Sequence, residues 1–179
     1  MDLQEDALKI IKKYCLLERI NEVAETYLVG NVALDVTVKP DIDLQVFSQN
    51  QDRLKIATQI KRVLEKVGFN NIVVRELKKS DKFLVTTKFI FNDINWTLDV
   101  SVAERKPDYL NNAYKFYQVY GERINNKNRE TIIKLKKHFL EEEKLKDSMS
   151  YYIYRAVIDD QAKRPEEVIR YKNKEEKND

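Results

Sequence analysis

The sequence is poor in the residues that build disulfides, zinc sites and flexible chains. Its 179 residues include one cysteine, one histidine, three glycines and three prolines. The single cysteine, Cys15, excludes an intrachain disulfide, and one histidine leaves no His/Cys set for zinc or for Cys–His catalysis. With 42% hydrophobic residues and so little glycine and proline, the chain has the composition of a folded domain.

Long apolar runs and a strong charge bias are also missing. No apolar run approaches the roughly 20 residues of a membrane span, and the first ten residues are acidic, unlike a secretory signal. We therefore expect a soluble, intracellular, cytoplasmic protein with no membrane partner. Residues 1–104 carry 15 basic and 16 acidic residues (net −1), and residues 105–179 carry 18 and 14 (net +4). This asymmetry mildly favours anionic partners for the C-terminal part.

Hydrophobic periodicity predicts an α+β part followed by a helical part. In the first part we predict helices over 3–27 and 51–67, the second ended by Gly68, and strands over 27–29, 41–47, 71–77, 83–91 and 95–102. Asn92 and Asp93 predict a hairpin turn. Beyond Pro107 we predict helices over 108–120, 129–146, 148–162 and 165–171, with a frayed tail. The predicted fold is a mixed β-sheet with helices on one face (domain 1–104), followed by a helical region (105–179).

Three aspartates stand on strand faces that point away from the predicted core. Asp41 and Asp43 are two residues apart in one strand and therefore leave the same face, opposite Ile42 and Leu44. Asp99 holds the same kind of position in its own strand. A D-x-D pair alone is common on solvated strand faces, but aspartate is depleted in strands, so three of them need a reason. If the two strands are neighbours, the three carboxylates converge.

Such a patch is costly without a cation. Two unit charges about 4 Å apart repel by roughly 4 kcal/mol at an effective dielectric of 20. A divalent cation removes the repulsion, and Mg²⁺ is typically held by a few carboxylates together with substrate phosphates. The carboxylates therefore suggest Mg²⁺, and Mg²⁺ suggests a phosphate-bearing substrate.

These motifs resemble a known family. The run 27–31, Tyr-Leu-Val-Gly-Asn, is followed after nine residues by Asp41-Ile-Asp43-Leu. This pattern is similar to the signature of the nucleotidyltransferase superfamily (DNA polymerase β-like fold), and Leu-Asp99-Val resembles its third carboxylate motif. The stretch 30–36 most resembles the small lincosamide- and aminoglycoside-type nucleotidyltransferases. The resemblance covers roughly residues 18–104.

The resemblance implies an activity and roles for site residues. Family members transfer a nucleoside monophosphate from a Mg²⁺-bound nucleoside triphosphate (NTP), such as ATP, to a hydroxyl and release pyrophosphate. By this resemblance Asp41 and Asp43 hold the metal, and Asp99 shares it or accepts the proton of the attacking hydroxyl. Gly30 lets the backbone approach the triphosphate, and Asn31 contacts it. The acceptor implied is a small molecule, such as an antibiotic.

Three alternatives to a small-molecule transferase stay open. In the first two the acceptor is a protein or an RNA end, and in the third the chain is a catalytically silent nucleotide-binding or interaction module with the same fold. Asn31 stands where the family usually has Ser or Gly, although its amide can donate to a phosphate. Lys39 either reaches a triphosphate oxygen or is a solvated loop residue. Asp35 either anchors a turn or binds substrate, and Glu104 is either a second base or a surface charge.

The C-terminal part is rich in tyrosine and lysine. Eight of the ten tyrosines follow Arg105. Tyr114, Tyr117 and Tyr120 share one predicted helix face, which suggests either a wall against a base or acceptor, or helix packing. His138 is expected to be exposed. A set of lysines around Glu141–Glu143 predicts a solvated, charge-paired helix: Lys134, Lys136, Lys137, Lys144 and Lys146.

Overall fold

The structure, a computed structural model, describes residues 2–48, 52–104, 113–146 and 148–177. By internal contacts the chain divides into two units, up to Tyr117 and from Gln118 onward. The predicted boundary after Glu104 stays a prediction, since residues 105–112 lie outside the described ranges. The described ranges hold no helix with the length and apolarity needed to cross a bilayer.

The first unit is built on a five-stranded mixed sheet. Its strands are β1 (Thr26–Val29), β2 (Asp41–Phe47), β3 (Val73–Leu77), β4 (Lys82–Phe91) and β5 (Ile94–Ala103), in the order β1-β2-β5-β4-β3. β2 and β5 are parallel, and the other neighbours are antiparallel. Its helices are α1 (Leu3–Lys13), α2 (Leu16–Asn21), the single turn α3 (Gly30–Ala33), α4 (Arg53–Lys66) and the start of α5 (Ala113–Tyr120).

The core lies on one face of this sheet, as the strand alternation predicts. Ile42, Leu44 and Val46 of β2 are buried together with alternate residues of β5 (98, 100 and 102). The apolar sides of α1, α2 and α4 pack against them in one cluster. The chain between the parallel strands β2 and β5 passes through α4, which covers this face. The predicted α+β class with helices on one face is confirmed.

Local signals set several element ends. The Asp52 carboxylate accepts hydrogen bonds from the backbone N–H groups of Leu54 (2.8 Å) and Lys55 (3.2 Å) and caps α4. Gly68, with φ +101°, follows the end of α4. Asn92 and Asp93 both have positive φ (50° and 61°), as the two central residues of a type I′ hairpin turn require.

The single helix predicted over residues 3–27 is wrong, because the chain breaks into α1 and α2. Cys15 takes a left-handed backbone conformation (φ 48°) at the break and is exposed. The buried residues explain this geometry: Ile11 and Leu16 are five positions apart, and on one straight helix they would point in different directions. Breaking the helix allows both to reach the core.

In the described part of the second unit, three α-helices follow the end of α5. These are α6 (Asn126–Glu141), α7 (Met149–Asp159) and α8 (Pro165–Glu175). α6 begins earlier than predicted because Asn125 and Asn128 cap each other's backbone N–H groups. α8 continues past its predicted end, so part of the tail expected to be frayed is helical.

Lys136 corrects the prediction of a uniformly solvated lysine-rich helix. Its side chain is fully buried, and its ammonium donates to the Tyr154 hydroxyl at 3.0 Å. Burying an ammonium is costly unless it is paired. The hydrogen bond from Lys136 to Tyr154 lowers this cost and links α6 to α7. His138, expected to be exposed, is half-buried, with Nε2 3.2 Å from a Glu142 oxygen.

Candidate active site

Two of the three predicted carboxylates lie directly opposite each other. Asp43 of β2 pairs with Asp99 of β5 in the parallel register, and Asp41 pairs with Thr97. All three aspartates are half-buried and stand on the sheet face opposite the core cluster. Residues opposite each other on neighbouring strands are about 5 Å apart. The tertiary structure therefore brings Asp43 and Asp99 together, although they are 56 positions apart in the sequence.

Gly30 lies against the Asp43 carboxylate. β1 runs antiparallel to β2 with Val29 opposite Asp43, so the residue after the strand meets that side chain. A Cβ placed on Gly30 would lie 2.3 Å from Asp43 Oδ2 and 3.0 Å from its Cβ and Cγ, and Gly30 has φ +68°. The resemblance implies that this glycine lets the backbone approach a triphosphate. The structure gives a second reason why position 30 has no side chain. Any side chain here would displace a carboxylate of the site.

Asn31 contacts the site through a carboxylate. Its Nδ2 donates to Asp41 Oδ1 at 3.2 Å. The Asp41 backbone N–H donates to the Lys39 carbonyl at 2.9 Å, so the loop before β2 fixes the start of the strand. The Lys39 side chain is half-buried in this loop. Asp35 follows α3 in a left-handed conformation (φ 54°) and is exposed, and Glu104 is half-buried just after β5.

The residues present fit a hard divalent cation. The donor set consists of carboxylate oxygens, which Mg²⁺ prefers. Asp99 Oδ1 is buried without a hydrogen-bond partner among the described residues, and such an orphaned acceptor is what a cation would satisfy. Within the described ranges, no group of three His, Cys, Asp or Glu side chains is arranged to hold a metal on its own. Because Mg²⁺ is commonly held by one or two carboxylates plus phosphates, the fit depends on the Asp43–Asp99 pair.

Sequence reasoning missed a clamp between α1 and the loop of the site. The Gln4 amide donates from Nε2 to the Val32 carbonyl at 2.9 Å, and its Oε1 accepts from the Thr37 hydroxyl. Val32 lies in α3 and Thr37 in the loop between α3 and β2, so α1 contacts both α3 and this loop. No sequence signal could have found the clamp, because its partners are 28 and 33 positions away.

The tyrosines of α5 do not form one common wall. Tyr114 packs on the site side of the sheet, with its ring centroid 4.1 Å from that of Tyr27 and 5.4 Å from that of Phe47. Tyr117 is exposed, and Tyr120 donates to Asp159 of α7 at 2.9 Å. Tyr114 and Tyr120 therefore serve packing within their own units, as the helix-packing alternative expects.

Comparisons with known proteins match the fold and nothing finer. No family model and no curated protein matches this chain. Among solved structures, Cid1 poly(U) polymerase bound to MgGTP superimposes with a TM-score of 0.61 at 15% identity, over 87% of this chain and 49% of that one. The GLD-2–GLD-3 poly(A) polymerase complex superimposes with a TM-score of 0.58 at 17% identity, over 87% of this chain and 52% of that one.

These likenesses show the class of fold. The chain shares the fold of the catalytic parts it matches in these two polymerases, which agrees with the α+β fold that the motifs predict. It spans about half the length of the structures it matches. Neither of these neighbours is an antibiotic nucleotidyltransferase, so that finer resemblance stays a prediction.

Proposed function

We propose that this chain transfers a nucleoside monophosphate from an NTP to a hydroxyl group and releases pyrophosphate. The observation that carries the proposal is the Asp43–Asp99 pair. Two carboxylates face each other off the core, one with an orphaned buried oxygen, and a glycine leaves room for the other. Like charges directly opposite each other on neighbouring strands are destabilising. The presence of such a destabilising pair therefore indicates that the two carboxylates have a function.

The metal proposed for this site is Mg²⁺, held by the facing pair Asp43 and Asp99, with Asp41 as the further ligand that the sequence resemblance implies. When bound, it would neutralise charge on the triphosphate and on the attacking and leaving oxygens. The chain's own contribution is orientation. The Asn31 amide donates a hydrogen bond to the Asp41 carboxylate, and Gly30, which has no side chain, leaves room for the Asp43 carboxylate.

Asp99 is proposed to accept the proton of the acceptor hydroxyl. The hydroxyl oxygen forms a bond to the α-phosphorus, the bond from that phosphorus to the α,β-bridging oxygen breaks, and pyrophosphate leaves. The released proton goes to an Asp99 carboxylate oxygen. A half-buried carboxylate on a rigid strand suits this role, because a base must be held within hydrogen-bond reach of the proton it takes.

The acceptor is the least constrained part of the proposal. The sequence resemblance implies a small molecule, and the comparisons do not support that choice. The neighbours are named as poly(U) and poly(A) polymerases, and one as an RNA terminal uridylyl transferase. An RNA end is therefore the first acceptor to test, ahead of antibiotics and proteins.

The test is pyrophosphate release with Mg²⁺, each NTP in turn, and either an RNA oligonucleotide or an aminoglycoside and lincosamide panel. We expect Asp99→Asn to lower transfer at least 100-fold, the lower end of what a general base contributes. Its melting temperature should equal or exceed the wild-type value, because the substitution removes a like-charge pair. The matched control is Asp93→Asn in the exposed hairpin turn, which should leave transfer unchanged.

Two outcomes would contradict the proposal. Near-full turnover in Asp99→Asn would remove this residue from the chemistry. A protein that releases no pyrophosphate with any acceptor, and whose melting temperature does not rise with any Mg²⁺–NTP, would be the silent module instead. A ligand at 100 times its dissociation constant should add about 2.7 kcal/mol to the free energy of unfolding. Nucleotide binding would therefore be detected as a rise in melting temperature.

A further inference from the structure

The sheet face that carries the carboxylates continues across the outer strands β4 and β3. On β4 the residues facing the core alternate with a second set on the site face: Lys82, Leu84, Thr86, Lys88 and Ile90. The β3 residues paired with that second set share its face: Val73, Arg75 and Leu77. The site face therefore has a carboxylate half, on β2 and β5, and a basic and apolar half, on β4 and β3.

The strand register fixes how the two halves meet. Thr86 lies directly opposite Asp99, and Lys88 lies opposite Thr97. Lys88 is thus a diagonal neighbour of Asp99, and diagonal neighbours are about 7–8 Å apart. Lys82 lies at the other end of β4, about 20 Å from Lys88 at roughly 3.4 Å per residue. Lys82 and Lys88 therefore stand on either side of Thr86, the β4 residue opposite Asp99.

This basic half is open to solvent. Val73 is 53% exposed and Ile90 is 70% exposed. Arg75 and Lys88 are also exposed, and Lys82 is half-buried. None of these three cations forms an ion pair within the described residues. Among the strand residues that the structure describes, the acidic ones on this face are the three carboxylates of the site, since Glu76 points to the other face.

We propose that strands β3 and β4 are the docking surface for a single-stranded RNA acceptor, which lies along β4 with its terminal hydroxyl at Asp99. The inference rests on the proposed function, because that function places the reacting hydroxyl at this carboxylate. A polycationic acceptor such as an aminoglycoside would be repelled by Arg75 and Lys88, whereas a phosphate backbone is attracted. The row of about 20 Å also exceeds the reach of a small molecule.

Binding measured without NTP or Mg²⁺ tests the surface separately from the chemistry. The probe is a fluorescently labelled 15-nucleotide single-stranded RNA, and the readout is anisotropy. The test variant is Arg75→Gln with Lys88→Gln. The matched control is Arg62→Gln with Lys55→Gln, which removes one arginine and one lysine from the exposed side of α4, on the opposite face of the sheet.

The expected results follow from counterion release. Three phosphate contacts should weaken wild-type binding roughly 20-fold between 50 and 200 mM salt, and one remaining contact should weaken it about threefold. At 50 mM salt the test variant should bind roughly 50-fold more weakly than wild type, while the control stays within about threefold. All four substitutions are at exposed positions, so melting temperatures should match.

Three results would overturn the proposal: equal losses in the test and control variants, no RNA binding at low salt, or tighter binding of a DNA strand of the same sequence. The two proposals fail in different ways. RNA binding that depends on Arg75 and Lys88 without any transfer would refute the proposed function and the placement of the terminal hydroxyl at Asp99, and would leave only the RNA-binding surface standing. Transfer that depends on Asp99 but not on these cations would refute the surface alone.

Discussion

Replacing Gly30 with alanine tests the link between backbone conformation and the carboxylate site. The added Cβ would lie 2.3 Å from Asp43 Oδ2, whereas ordinary van der Waals contacts begin at 3.4 Å. The carboxylate must therefore move by about 1 Å, and a 1 Å misplacement in a catalytic site can cost about 100-fold in rate. The left-handed backbone (φ +68°) adds strain, about 1–2 kcal/mol for a residue with a Cβ.

Gly68 provides the matched control, because it has positive φ without the contact. Its φ is +101°, and a Cβ there would meet nothing within 4 Å. Both Gly30→Ala and Gly68→Ala should lower the melting temperature by about 2–8 °C, since about 1 kcal/mol shifts it by 2–4 °C in a chain of this size. Only Gly30→Ala should also reduce transfer, by about 100-fold per folded molecule.

The assay is pyrophosphate release at a temperature where both variants are folded, normalised to the folded fraction from circular dichroism. The reasoning would be refuted if Gly30→Ala and Gly68→Ala retained equal transfer within threefold. A crystal structure of Gly30→Ala with the Asp43 carboxylate unmoved would refute it as well. Equal melting temperatures with unequal transfer would assign the effect to the carboxylate and not to strain.

Two further predictions concern the second unit. Tyr154→Phe removes one hydrogen-bond acceptor of the buried Lys136 ammonium and should lower the free energy of unfolding by about 1.5–3 kcal/mol, the range for hydrogen bonds to charged groups; urea denaturation measures this, and an unchanged midpoint would contradict it. The Lys163 backbone N–H and then the Arg164 side chain hold the pKa of Glu167 at about 2. Because this folded-state pKa is depressed, the stabilisation is present above the ordinary value of 4.5 and is lost as the pH falls towards 2. Glu167→Gln should therefore flatten the dependence of melting temperature on pH between 4.5 and 2, and an unaltered slope would show that the contacts of Glu167 with Lys163 and Arg164 do not stabilise the fold.

Strand alternation was sufficient to predict the sheet faces. The bounds of β2 agree with the prediction, and the hairpin at Asn92 and Asp93 lies where it was expected. These features depend on neighbours within a few residues, because a two-residue period and left-handed turn residues are local properties. The same local logic placed Asp41, Asp43 and Asp99 off the core.

Local patterns failed where distant contacts decided the structure. The break at Cys15 arises because residues on both sides of it must reach one core. Lys136 occupies a position that reads as solvated in a lysine-rich helix, yet α7 supplies Tyr154 to receive it. The first case is set by packing against the sheet and the second by packing between helices, and a helical period reports neither.

The sequence by itself determined that three carboxylates leave the non-core side of two strands, since side-chain direction alternates along any strand. The tertiary structure decided that Asp43 and Asp99 are neighbours, because only the parallel pairing of β2 with β5 fixes that register. It also decided that Gly30 makes room for Asp43 and that a basic, open half of the sheet adjoins the pair. These are relations between strands, and they exist only once the chain has closed the sheet.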